Sequence, residues 1–193
     1  MPMNPRRFAL IPAACLLLAA PPLRAGARTE PLRRSVETCV VPDVTLVNQD
    51  GKRLHLRTLL DSGEPVVLNF IYTSCTTICP TLCAGYATLQ ARLGENPGKV
   101  HLISITVDPA RDTPRIMKAY QGRFRAKPGW EFLTGSKGDI EKAMNGFNTF
   151  IPNWESMVPI TMIRTQRGGS WTRIFGLMSS TEFLQECKRA GIL

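Results

Sequence analysis

Val66-Val67-Leu68-Asn69-Phe70-Ile71-Tyr72-Thr73-Ser74-Cys75-Thr76-Thr77-Ile78-Cys79-Pro80 is the stretch whose reading decides the fold. Residues 66–71 form an apolar run broken only by Asn69, as expected of a strand buried on both faces. Over residues 80–93, Leu82, Tyr86, Leu89 and Leu93 recur on one helical face. Between strand and helix lies the loop that carries Cys75 and Cys79. One thiol on a loop leaving a buried strand, and another in the first turn of the next helix, sit where backbone N–H groups favour an anion. The thiolate is both the nucleophile and the metal ligand, so the same setting activates both roles. The intervening Thr76, Thr77 and Ile78 leave room for two sulfurs to bond to each other or to clamp one soft ion. Two inert core cysteines are the competing reading, and the strand–Cys–x–x–x–Cys–Pro–helix order argues against it.

Working outward, residues 44–47 and 54–56 flank Asn48-Gln49-Asp50-Gly51-Lys52, a turn signal between two short strands. Residues 100–107 read as a second buried strand. Thr113-Pro114 opens a helix to about Phe124, with Thr as N-cap and Pro at the first helical position. A short strand at 130–133 and a short helix at 139–147 follow. Residues 159–163 and 171–175 pair across Arg167-Gly168-Gly169, and a helix over 179–190 is stopped by Gly191. The order is βαβ and then ββα. This predicts an α/β, thioredoxin-like fold: a central mixed sheet flanked by helices, with an N-terminal hairpin and an inserted strand and helix.

The first 27 residues differ from the rest. Arg6 and Arg7 precede a 13-residue apolar run from Phe8 to Ala20, and Ala25-Gly26-Ala27 follows. A basic head, an apolar middle and small residues at the end predict a signal peptide over 1–27, cut after Ala27. The run is shorter than the roughly 17–25 residues a bilayer-spanning helix needs. Cys15 lies in a poor context for lipoprotein processing, and Arg6-Arg7-Phe8 only faintly resembles a twin-arginine signal. Residues 28–38 are polar and read as a flexible lead-in, leaving 39–193 as one domain. Export predicts a location outside the cytoplasm.

Cleavage removes Arg6, Arg7 and Arg24, taking the net charge from +9 to +6. The basic residues are scattered without aromatic interleaving, which excludes nucleic acid as the expected partner. A basic exported domain can still meet an anionic membrane surface. Five cysteines survive cleavage, Cys39, Cys75, Cys79, Cys83 and Cys187, and an odd number leaves at least one thiol without a partner. Cys83, one turn beyond Cys79, reads as a buried small residue, with a resolving thiol or extra ligand as alternatives. Cys39 and Cys187 are candidates for a staple between the chain ends.

Three blocks carry a resemblance: Asn69-Phe-Ile-Tyr-Thr-Ser-Cys75-Thr-Thr-Ile-Cys79-Pro80, Ser104-Ile-Thr-Val-Asp108-Pro-Ala-Arg-Asp112-Thr-Pro114 and Gly129-Trp-Glu-Phe-Leu-Thr-Gly135. Together they resemble the SCO/SenC family of copper-handling, cytochrome-oxidase-assembly proteins over most of the chain after the leader. The resemblance implies a periplasmic protein that binds copper, or reduces the cysteines of a partner's copper site. It also implies a third ligand, a histidine just before the penultimate long strand. Here the chain departs from the pattern: its two histidines are His55 and His101, and residues 153–159 contain neither. A gap-free placement puts Met157 at that position, with Ser156 one residue away. A thioether prefers Cu(I), so Cys75, Cys79 and Met157 are the expected metal ligands; a loop or core role for Met157 is the alternative. The resemblance also places Pro159 where thioredoxin-like proteins carry a cis-proline facing the reactive thiols. Asp108 and Asp112 belong to the second block, and Asp112 reads as part of a helix start.

Two functions from different classes follow. One is a metallochaperone that holds Cu(I) for a respiratory copper-enzyme subunit or another periplasmic copper protein. The other is a thiol-disulfide oxidoreductase without a cofactor, acting through Cys75, Cys79 and Pro159 and reset by a periplasmic thiol donor. A peroxidase is disfavoured, because no arginine-bearing peroxidatic motif is present.

Overall fold

The computed structural model describes residues 32–94, 96, 99–153 and 156–193. The elements run β1 (Arg33–Glu37), β2 (Thr45–Asn48), β3 (Arg53–His55), α1 (Leu56–Leu60), β4 (Val66–Ile71), α2 (Ile78–Leu93) and β5 (His101–Thr106). They continue with α3 (Pro114–Arg123), β6 (Trp130–Thr134), α4 (Lys137–Gly146), β7 (Ile160–Arg164), β8 (Trp171–Phe175) and α5 (Ser180–Arg189). The leader reading at 1–27, and the start of the lead-in, lie outside the described residues. Among the described residues, no helix is long and apolar enough to cross a membrane.

All eight strands form one sheet in the order β1-β8-β7-β4-β5-β6-β2-β3. β4 runs parallel to β5 and β5 to β6, while β7 pairs antiparallel with β4 and β8. Lying inside the sheet, β4 sends alternate side chains to opposite faces. Val66, Leu68 and Phe70 join Leu56 and Leu60 of α1 and Ile140, Ala143 and Met144 of α4. Val67 and Ile71 join Tyr86 and Leu89 of α2, Met117 and Tyr120 of α3, and Phe183 of α5. This is the thioredoxin-like arrangement: β4-α2-β5, then β7-β8-α5, with α3, β6 and α4 between the halves. Burying a side chain the size of Leu68 or Ile71 stabilises by about 1.5–3 kcal/mol, so this strand anchors both layers.

Helix starts follow their sequence signals. Thr113 caps α3 by accepting from the Ile116 amide, and Pro114 is the first helical residue. Ser179 and Glu182 form a reciprocal capping box on α5. Gly191 closes that helix at φ 75°, a conformation that costs glycine little.

Two expectations need correction. The sequence of residues 28–38 suggests a flexible lead-in, but Arg33 to Glu37 form edge strand β1, antiparallel to β8. Polar side chains suit an edge strand, because pairing uses the backbone while both faces remain largely open. Arg34 fixes it through a two-pronged ion pair with Glu186, its Nε and Nη2 donating at 2.7 and 2.5 Å, and the Arg33 guanidinium lies 3.9 Å from the centre of the Phe175 ring. The proposed Cys39–Cys187 staple is also absent, both thiols being free. Cys39 packs against one face of the sheet and Cys187 is buried on the other, so the sheet itself separates them.

The hydrogen bond from Arg34 holds the Glu186 carboxyl below its ordinary value, against burial, with the charges of Arg34 and Arg189 adding to the effect. A carboxyl with a lowered folded pKa stabilises above its unfolded pKa and loses that contribution as pH falls through the folded value. Glu186→Gln should therefore melt lower than the parent at pH 7, with the gap closing towards pH 3. A gap of constant size across that range would show that the Arg34 pair does not anchor β1.

Candidate functional site

The site begins with helix α2, whose first amides have no partner within the helix. Thr77 occupies the N-cap position but makes no side-chain capping bond. The sulfur of Cys75 does so instead: the Cys79 amide lies 3.2 Å from Cys75 Sγ, and the amides of Thr77 and Ile78 also donate to it. Pro80, in the first turn, has no N–H to satisfy, so proline costs the helix nothing there. The helix starts two residues earlier than the sequence suggested, because the turn carrying Cys79 is part of this cap.

Cys75 and Cys79 consequently differ in chemistry. Burial opposes ionisation of Cys75, but the hydrogen bonds from Cys79, Thr77 and Ile78 outweigh it and leave the thiol below its ordinary value of 9.0. Burial pushes Cys79 far up, only partly offset by the Tyr72 amide, and the neighbouring Cys75 raises it further. Cys75 is thus the more acidic thiol, and Cys79 a held thiol in hydrogen-bonding contact with it.

Phe70, Tyr72, Cys75, Ile78, Cys79, Leu82, Met157 and Pro159 line one cavity of about 30 Å³. That is close to one water molecule's share of liquid volume, and roughly a tenth of the smallest pockets that take organic ligands. The opening suits an ion or an approaching sulfur atom and is far too small for a metabolite. Cys75, Cys79, Met157 and Pro159, all singled out from sequence, therefore meet at one place. Of the two neighbouring residues, Met157 is half-buried on the cavity wall while Ser156 is exposed.

Other expectations fare differently. There are no cis peptide bonds among the described residues, so Pro159 reaches the thiols on a trans bond, the lower-energy isomer, with its carbonyl accepting from the Gly176 amide at 2.9 Å. Cys83 and Cys187 are fully buried, and burial pushes each thiol up to about 12. Cys83 is a core residue, packed in the same layer as Tyr120. His101 opens β5 opposite Val66, the far end of the strand from Cys75, about 16 Å away by strand rise. His55 sits on outer strand β3, 3.2 Å from Asp43. Among the described residues no three or more His, Cys, Asp or Glu gather to hold a metal, so any ion at this site would have to be one that accepts thiolate and thioether sulfur.

Sequence reasoning missed the part played by Asp112. Its side chain does not cap α3. Both oxygens turn instead to the thiol loop and to β5, accepting from Thr73 and Thr106. Only the spacing of the two aspartates in the second motif block hinted at a shared loop.

The SCO1/SenC family model matches residues 34–165, more than half of the chain. The chain belongs to the SCO1/SenC family. The SCO1 protein homolog of Bacillus subtilis is 36% identical over 134 residues, covering 67% of this chain and 66% of that relative. The chain thus spans just under two thirds of that relative's length, and about half of several other SCO relatives. Among solved structures, BsSco, a Sco-family cytochrome c oxidase assembly protein with a disulfide switch, superposes with a TM-score of 0.66 at 28% identity, covering 82% of this chain and 97% of BsSco. ScoI of Bradyrhizobium japonicum, solved with copper bound, gives 0.61 at 25% identity, covering 78% of this chain and 98% of its own.

The asymmetry of the SCO1/SenC thiols is open to direct measurement. Iodoacetamide at pH 7 should label Cys75 first in the reduced, folded protein, and Cys79, Cys83 and Cys187 only after denaturation, as read by peptide mass mapping. The rate of Cys75 labelling should rise with pH through an inflection below 9.0. Equal early labelling of Cys75 and Cys79 would contradict the assignment of roles.

Proposed function

We propose that the chain is an exported SCO-type protein whose Cys75–Cys79 dithiol, closed by Met157, carries Cu(I) as cargo for a respiratory copper enzyme. The observation that carries this reading is the donor set: two cysteine sulfurs and one thioether around a cavity sized for a single ion. Soft sulfur donors select Cu(I) over harder ions, and a coordinating thiol gives up its proton whatever its free pKa. The copper-bound ScoI of Bradyrhizobium japonicum supports the reading by its fold and family.

A second function draws on the same atoms, and the difference between the two thiols favours it. Cys75 thiolate attacks a disulfide in a partner protein, forming a mixed disulfide and releasing one partner thiolate. Cys79 then attacks the Cys75 sulfur, and its proton goes to the second partner thiolate as that group leaves. The partner ends as a dithiol and this chain as the Cys75–Cys79 disulfide, which a periplasmic thiol donor must reduce. As a disulfide the pair cannot hold Cu(I), so the oxidation state decides which function is available. The disulfide switch of BsSco supports this second reading.

Cu(I) titration of the reduced protein against a competing chelator separates the two. Tight one-to-one binding that is lost on oxidation supports the carrier, whereas absence of binding leaves the reductase. Met157→Ala should weaken Cu(I) binding ten- to a hundredfold, about 1–3 kcal/mol, with the reduction potential nearly unchanged. Met157→His should add Cu(II) binding with a visible thiolate-to-copper band. An alanine variant that binds as tightly as the parent would make Met157 a packing residue.

Export belongs to the same proposal. Protein recovered from its native host should begin near Arg28, in the periplasmic fraction. A chain still starting at Met1 and recovered with membranes would make residues 1–27 an anchor.

A further inference from the structure

Asp112 is completely buried, yet among the described residues no cation pairs with it. Three neutral donors meet it instead. The Thr73 amide donates at 3.1 Å, the Thr73 hydroxyl donates to the other oxygen, and the Thr106 hydroxyl donates at 2.5 Å. Burying a carboxylate without a counter-charge is unfavourable, so a residue that merely opened a helix would not be expected here. That task is already done by Thr113, which caps α3.

The donors show what the carboxylate connects. Thr106 ends β5, and its hydroxyl also accepts from the Asp108 amide at 2.9 Å, while the Asp112 amide donates to the Asp108 carbonyl at 2.9 Å. The loop after β5 is thereby folded back on itself and made rigid around Asp112. Thr73 lies on the loop after β4, two residues before Cys75. It sits inside the turn that the Cys75 amide closes on the Tyr72 carbonyl at 3.2 Å. The amide of Tyr72 in turn donates to the Cys79 sulfur. A carboxylate with two bonds to Thr73 therefore grips the turn that aims Cys75 at the amides of α2.

We propose that Asp112 is a positioning residue for the thiol pair, clamping Thr73 so that residues 72–75 deliver Cys75 to the start of α2. The inference rests on the thiol chemistry proposed above and adds a residue from a different loop to its control. Thr73 is the grip and Asp112 the anchor.

The test compares Asp112→Asn, Thr73→Val and Thr73→Ser with the parent in the full chain. It reads the Cys75 alkylation rate at pH 7 and the thiol–disulfide equilibrium in a glutathione buffer, with thermal melting recorded alongside. Asparagine loses acceptor capacity towards Thr73, and valine removes the hydroxyl while leaving the carboxylate in place. Both should slow Cys75 labelling three- to tenfold. Both should favour the disulfide by up to about tenfold, some 30 mV, because the dithiol loses its stabilised thiolate. Thr73→Ser should restore parent values. A lower melting temperature with unchanged labelling and equilibrium would reduce Asp112 to a structural role and overturn the proposal. Faster labelling in Asp112→Asn with no change in Thr73→Val would also overturn it, since that pattern belongs to a bare charge effect. Should Asp112→Asn fail to fold, the Thr73 pair alone decides between the same outcomes. If the parent forms no Cys75–Cys79 disulfide, the redox reading fails, and the labelling comparison still decides the clamp.

Discussion

The amides at the start of α2 need an acceptor, and the Cys75 sulfur is the one they have. Much of the site depends on this interaction. It places the sulfur at the end of a buried strand and lowers its proton affinity. Cys79, one residue into the helix, sits beneath it in apolar surroundings. A serine or threonine cap at Thr77 would have satisfied the helix by itself. Its absence leaves the amides free to act on a thiolate, which converts a routine requirement of helix geometry into chemical reactivity. The sheet provides the rigidity this requires, since β4 is held on both edges and covered on both faces.

The cavity formed by these residues is where the two proposed uses, copper carriage and disulfide exchange, would meet. Its volume admits one ion, and three of its lining residues, Cys75, Cys79 and Met157, carry sulfur. Copper and a partner's sulfur would approach the same point, so the two uses exclude each other at any instant. The carboxylate of Asp112 acts from outside the cavity through Thr73 and the backbone. The thiol loop is therefore held from a neighbouring loop by a residue that does not line the cavity.

Much of this was legible in the sequence. The run at Val66–Ile71 and the helical face of Leu82, Tyr86 and Leu89 reflect burial on both sides of one sheet, and burial is what apolar periodicity reports. Thr113-Pro114 and Ser179 marked helix starts because capping is a local interaction. Arg33–Glu37 escaped notice because an edge strand is held by backbone pairing and by the distant Glu186. The place of Cys39 and Cys187 on opposite faces depends on the path of the whole chain, which spacing does not encode. Asp112 looked like part of a helix start because its immediate neighbours make one. Its real partners lie 39 residues away for Thr73 and six for Thr106. Met157 was found by position against a family pattern, and its cavity-facing orientation emerged only from the loop's path.

The separation of the spare thiols has a consequence for how the molecule matures. Cys83 and Cys187 are sealed in one layer of the core and Cys39 packs against the other, so cross-links from Cys39 to either cannot form once the sheet has closed. They can form before it does. A chain that meets an oxidant while still unfolded has several thiols of comparable exposure, and any pair that joins across the two future layers would block closure of the sheet. Folding therefore becomes a race between collapse and oxidation, with the finished sheet acting as an insulator between Cys39 and the thiols of the opposite layer.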